Sequence, residues 1–144
     1  MGLDDPAVKM SKSVSGAGHA IALLDPPDVA RKKIMRAVTD AHPHVDYENM
    51  GDGVTNLLGI FQAFSEWTDD QMKAHFQGMR YGDLKKEVAA MVVAHLEPLQ
   101  QRYREITWDR AYLAEVLRDG AARVSPIANQ TVRAVKQRMG LYTE

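Results

Sequence analysis

The sequence predicts a mainly α fold, a helical bundle preceded by a flexible loop and at most one short strand. Three observations carry that prediction. From Asp83 to about Glu105, the residues Leu84, Val88, Met91, Val92, His95, Leu96, Leu99, Tyr103 and Ile106 recur at three- and four-residue spacing, which places them on one helical face. Helix start and stop signals bound several further periodic segments. No succession of strand and helix patterns occurs, so a Rossmann-type nucleotide domain is not encoded in this chain.

The chain opens on Asp4-Asp5-Pro6, which is turn chemistry, and continues into Lys9-Met10-Ser11-Lys12-Ser13 and Val14-Ser15-Gly16-Ala17-Gly18. Two ammonium groups bracket a methionine in a segment with few large side chains to pack. Lysines on a mobile, glycine- and serine-rich backbone suit an anion such as a polyphosphate, and they also suit a plain solvated loop. Ile21-Ala22-Leu23-Leu24 is too short for a helix and is expected as a short strand. Asp25 is expected to cap the first helix, with Pro26 at its first position and Asp28 in its first turn. Val29, Ala30, Ile34, Ala37, Val38 and Ala41 then form its apolar stripe.

A turn-rich loop over Pro43–Gly53 leads to a helix from Val54, with Leu57, Leu58, Phe61 and Phe64 on one face and Trp67 at its end. Thr68-Asp69-Asp70-Gln71 has the spacing of a capping box and opens a short helix carrying Met72 and Phe76 until Gly78 stops it. The aromatic residues here are expected in the core, since no Lys or Arg alternates with them. In the long helix that follows, Pro98 predicts a kink near Ala94, and His95 is expected as a hydrogen-bonded core residue. Thr107 is expected to cap a helix with Leu113, Val116 and Leu117 that breaks at Gly120. The last helix carries Val124, Ile127, Ala128, Thr131, Val135 and Met139, with Ser125-Pro126 as a kink or restart and Gly140 as its stop.

Composition narrows the function classes. At 144 residues with 45% hydrophobic and 26% charged residues, the chain has the size and usage of one globular domain. With no cysteine, disulfides and thiolate metal sites are excluded, and His42 and His44 among acidic neighbours give no expectation of a metal. The longest apolar run, Val88 to Ala94, is far short of the roughly 20 residues that span a membrane. No signal-peptide pattern opens the chain, so a cytoplasmic location is expected. The net charge is −1, yet its distribution is uneven: Arg31, Lys32, Lys33 and Arg36 cluster, while 41–70 carries acids and no Lys or Arg. Such a patch suits either a limited contact with RNA or the solvated face of a helix.

The Lys9–Ser13 run, KMSKS, resembles the second signature of class I aminoacyl-tRNA synthetases. Around it stand Asp5-Pro6, Leu23-Leu24-Asp25-Pro26, Lys33-Ile34, Ala37-Val38-Thr39-Asp40, Asn56-Leu57-Leu58, Tyr81-Gly82-Asp83-Leu84-Lys85, Gln101-Arg102-Tyr103 and Gly140-Leu141. In that order the series resembles the C-terminal part of bacterial tryptophanyl-tRNA synthetases over essentially the whole chain. The resemblance implies a loop and connecting segment of a catalytic domain over 1–24, followed by a helical bundle of the anticodon-binding type over 25–144.

It further implies ATP, with Mg2+ in the complete enzyme, as the nucleotide, and tRNA(Trp) and tryptophan as partners. Lys9 and Lys12 are the implied catalytic cations, and Lys9, Met10, Ser11, Lys12 and Ser13 the implied nucleotide-binding run. Arg31, Lys32, Arg36, Lys85 and Lys86 are candidate tRNA contacts, although no motif pins them. A homodimer is implied for the complete enzyme. Without the nucleotide half, the isolated chain is expected to be inactive. Val14-Ser15-Gly16 departs from the Asp-Pro-Asn type of continuation usual in the family. The alternative is a free-standing helical RNA-binding module without catalysis.

Overall fold

In the computed structural model, which describes residues 1–11, 16 and 18–141, five helices follow one another: α1 (Pro27–Met35), α2 (Asp52–Ser65), α3 (Asp69–Phe76), α4 (Tyr81–Trp108) and α5 (Arg110–Arg138). The fold is mainly α, as the sequence predicts. Among the described residues the one β feature is an isolated antiparallel bridge between His44 and Arg80. The chain divides into two compact units, Met1–Gln100 and Gln101–Glu144, with the boundary inside α4.

The first unit holds the core. Ile34 of α1, Val54, Leu57, Leu58 and Phe61 of α2, Met72 and Phe76 of α3, and Leu84, Val88, Ala89, Val92 and Leu96 of α4 form one buried cluster. Leu3, Ala37 and Val45 join it from the connecting segments. Phe61 is its aromatic hub, meeting Phe76 edge-on at 4.9 Å and Trp67 at 5.4 Å. The capping box forms as its spacing predicts, with the Gln71 amide donating to Thr68 Oγ1 and the Thr68 amide to Gln71 Oε1. Gly78 takes a φ of +79°, a value that favours glycine, and its amide donates to the Val45 carbonyl.

Several local expectations are corrected. Ile21-Ala22-Leu23-Leu24 is no strand: the Asp25 amide donates to the Ala22 carbonyl and the Ala22 amide to Asp25 Oδ2, closing a turn that leaves Leu23 and Leu24 exposed. Asp25 is therefore not the helix cap. Pro26 holds that position with Pro27 at the first helical residue, and the Asp25 carboxylate instead takes the Lys33 ammonium at 2.6 Å. The first helix ends at Met35, so Val38 and Ala41 fall beyond it, and Val38 is exposed. His95 is exposed rather than core, although it is bonded to the Met91 carbonyl and lies against the Phe64 ring.

In the second unit α4 runs on to Trp108, so Thr107 is interior to a helix and its hydroxyl donates back to the Tyr103 carbonyl. Asp109 caps the next helix through the Tyr112 amide. That helix is continuous: neither Gly120 nor Ser125-Pro126 ends it, and the Ser125 hydroxyl donates to the Ala121 carbonyl beside the proline. One glycine in a helix interior costs only about 1 kcal/mol, which the 29-residue ladder absorbs. No side chain of α5 is buried.

Candidate functional site

The site is built on the first 20 residues, where a tight turn, a loop and one histidine interlock. The turn is closed by the Gly2 amide on the Val8 carbonyl (2.7 Å), the Val8 amide on the Asp5 carbonyl and the Ala7 amide on Asp5 Oδ1. It is fastened to the core from several directions. The Leu3 side chain is buried, its carbonyl accepts from the Val38 amide, and Asn56 Nδ2 of α2 donates to the carbonyls of Met1 and Gly2.

From this anchored turn the lysine loop departs. Lys9 and Ser11 are exposed, while Met10 between them is half-buried and packs on the core. Lys12 and Ser13, with Val14, Ser15 and Ala17, lie outside the described residues, so the expected mobility of the Lys9–Gly18 loop falls largely there as well. The loop returns at Gly16 and Gly18 to His19, which is only 2% exposed. His19 Nδ1 stands 2.6 Å from Asp4 Oδ1, and Nε2 stands 3.1 Å from the Lys9 carbonyl. Its backbone closes the same ring, the amide donating to the Gly16 carbonyl and the carbonyl accepting from Leu3.

Packing around the imidazole is close. A Cβ at Gly2 would lie 2.3 Å from His19 Cε1, so position 2 has no room for a side chain. The hydrogen bond to the Lys9 carbonyl, then that to Asp4, raises the His19 pKa above its ordinary value despite burial. The same contact with His19 lowers the Asp4 carboxyl. His19 is the residue that sequence reading missed: a single histidine between small residues shows no periodicity, and only the nearby Asp4 hinted at a partner.

The candidate tRNA cations divide by environment. Arg31, Lys32 and Arg36 are exposed on or just after α1, with Lys32 paired to Asp28 at 3.5 Å. Lys86 is exposed and pairs with Asp83 at 2.8 Å, which lowers the Asp83 carboxyl. Lys85 is half-buried: its ammonium donates to the Ala37 carbonyl at 2.7 Å, and desolvation lowers its pKa. That bond joins the start of α4 to the segment just after α1. Beside it, Asp40 accepts from the Tyr81 hydroxyl and from the Gly51 amide (2.5 Å), and burial followed by that carboxylate pushes the Tyr81 hydroxyl up to about 12. The Ala37–Asp40 run and Tyr81 are thus joined in space. Among the described residues no group of three His, Asp or Glu gathers as a metal cage, and no helix is long and apolar enough to cross a membrane.

Residues 1–97 match the family described as tRNA synthetases class I (W and Y). Among curated proteins the chain is 45% identical over 141 residues to the tryptophan–tRNA ligase of Helicobacter pylori strain J99, which covers 98% of this chain and 43% of that protein. It is 45% identical, with the same coverage, to the tryptophan–tRNA ligase of Wolinella succinogenes. Among solved structures it is similar to tryptophanyl-tRNA synthetase from Mycoplasma pneumoniae, with a TM-score of 0.74 at 29% identity, over 99% of this chain and 43% of that one. It is also similar to tryptophanyl-tRNA synthetase from Campylobacter jejuni complexed with ADP and tryptophan, with a TM-score of 0.72 at 25% identity, over 97% of this chain and 43% of that one. The chain therefore spans less than half the length of the relatives it matches. With the family match running through two unbroken thirds of the sequence, the anchored turn, the lysine loop and the helices behind them belong to a class I tRNA synthetase of the tryptophan and tyrosine group.

Proposed function

We propose that this chain acts as the C-terminal part of a tryptophan–tRNA ligase, contributing the lysine loop to ATP and its helices to tRNA(Trp). The observation that carries this reading is the anchored base of the loop, which holds Lys9 exposed at the rim of a packed unit, together with the extent of the likeness to tryptophan–tRNA ligases. In the reaction, tryptophan's carboxylate attacks the α-phosphate of ATP, tryptophanyl-adenylate forms and pyrophosphate leaves. Negative charge then builds on the β- and γ-phosphates. Lys9 and Lys12 are placed in this reading to neutralise that charge as the loop closes, with Met10, Ser11 and Ser13 completing the binding run. Tryptophan then passes to the 3′ end of the tRNA.

Among the described residues no group of three His, Asp or Glu could hold Mg2+, which would arrive with the nucleotide. Adenine and indole pockets belong to the half of the enzyme that this chain does not match. Residues 1–24 serve as the catalytic loop segment and 25–144 as the tRNA-facing part, with Arg31, Lys32, Arg36 and Lys86 as exposed contacts. Lys85 would contribute through its hold on Ala37. The complete enzyme is read as a cytoplasmic homodimer working in translation.

The test is pyrophosphate exchange into ATP. The isolated chain should show none, and pairing it with the nucleotide-binding half of a tryptophan–tRNA ligase should produce tryptophan-dependent exchange. In that pairing Lys12→Ala should lower the adenylation rate about 10² to 10³-fold, or roughly 2.7 to 4 kcal/mol, with tryptophan binding little changed. If the pairing gives no exchange while the chain alone binds tRNA(Trp), the free-standing RNA-binding module is the correct reading.

A further inference from the structure

Asp4's carboxylate and Lys9's carbonyl can only accept hydrogen bonds, and both stand within bonding distance of the His19 ring. A neutral imidazole carries one N–H. It could satisfy one of these contacts, and the other would set two lone pairs against each other in a pocket where the ring is 2% exposed. An imidazolium carries two N–H groups and satisfies both. The geometry therefore selects the charged ring, buried with a carboxylate partner.

The position of this ring matters because both ends of the lysine loop meet at it. The outgoing end is held at the Lys9 carbonyl by Nε2, and the returning end by the His19 amide on Gly16. The turn beneath is joined through Leu3. Among the described residues the charged groups that face the ring are Asp4 and Asp5, both acids of the opening turn. We propose that His19, as an imidazolium, is the positioning residue of the lysine loop: it fixes the Lys9 backbone and so the point from which the loop's ammonium groups reach, and its deprotonation, which leaves the one N–H on Nδ1 with the Asp4 carboxylate, releases that end. The consequence for catalysis rests on the function proposed above, while the clamp itself does not.

The pH window follows from the two directions of shift. His19 binds its proton more tightly in the fold, so the clamp is complete below the ordinary histidine value of 6.5 and is lost as pH rises through the raised one. Asp4 is shifted down, so its half fails only when pH falls through that lowered value.

Nitrogen NMR on the 144-residue chain tests the clamp directly. The titration midpoint of His19 should lie above 6.5, with both ring nitrogens protonated below it, and Asp4→Asn should lower that midpoint. Hydrogen-exchange protection of the Leu3 and His19 amides should fall as the ring titrates, with protection in α2 unmoved, and His19→Gln should abolish this pH dependence. A midpoint at or below 6.5, or flat protection at Leu3 and His19 across the titration, would overturn the proposal. Should His19→Gln fail to fold, Asp4→Asn, a half-exposed side chain, still decides the matter.

In the paired enzyme, loss of the clamp should lower kcat by up to about 10²-fold and leave the KM for tryptophan unmoved. An unchanged kcat with the clamp broken would refute the positioning role. Absence of exchange from the unsubstituted pairing would instead refute the proposed function, with the NMR result standing.

Discussion

Tyr81 and Asp40 show how much one side-chain contact organises. The Tyr81 hydroxyl donates to a carboxylate that also receives the Gly51 amide, so three segments distant in sequence share one acceptor. Tyr81→Phe should destabilise the first unit by about 1.5 to 3 kcal/mol, as expected for a lost hydrogen bond to a charged group, and urea unfolding would measure it. The sequence displayed Asp40 and Tyr81 only as points of family likeness. Their partnership was illegible because nothing in either local pattern specifies a contact 41 residues away. His19 was hidden for a similar reason. Its function as a bridge is set by what the turn and loop bring to it, and a lone histidine carries no spacing to read.

Elements with strong local signals were read well. The capping box before α3 is a four-residue code whose two hydrogen bonds are local, so spacing alone specified it. Thr68→Ala should cost about 1 kcal/mol in thermal unfolding of the first unit. Signals that compete with their surroundings were read less well. Asp25 has the chemistry of a cap, but the following pair of prolines moved the helix start by one residue and the carboxylate was taken by Lys33. Gly120 has the chemistry of a stop, but Ala121, Ala122 and Arg123 after it are good helix formers and the ladder runs through it. Because nothing lies within 4 Å of a Cβ built there, Gly120→Ala should stabilise α5 by about 1 kcal/mol, read as a higher melting point in helical circular dichroism. A loss of helicity would mean that the glycine is needed for a bend.

For the molecule as a whole, the helical class and the place of the core followed from periodicity, since α2, α3 and the first part of α4 bury most of the residues their stripes mark, with Phe64 and His95 exposed at the edge. Periodicity failed as a guide to burial after Gln100. The stripe of α5 is as regular as the others, yet Leu117, Val124, Ile127 and Met139 are exposed. A stripe records that a face is apolar, and burial needs a partner surface as well. Amides of α5 should therefore exchange at a lower opening free energy than those of α2, since few buried contacts oppose local opening. Equal protection in the two helices would show that the second unit is as tightly held as the first.

The 2.3 Å approach between a Cβ at position 2 and the His19 ring has a meaning for how such a sequence can change over generations. Gly2→Ala should be strongly destabilising, and His19→Ala should relieve only the part due to the ring, since the Asp5 carbonyl also stands 2.8 Å from that Cβ; a double-mutant cycle should read the relieved part as coupling between the two positions. Neither position drifts freely by itself. A lineage that gives up the histidine removes one of the two obstacles at the second residue, and once a side chain settles there the return path to the histidine is blocked.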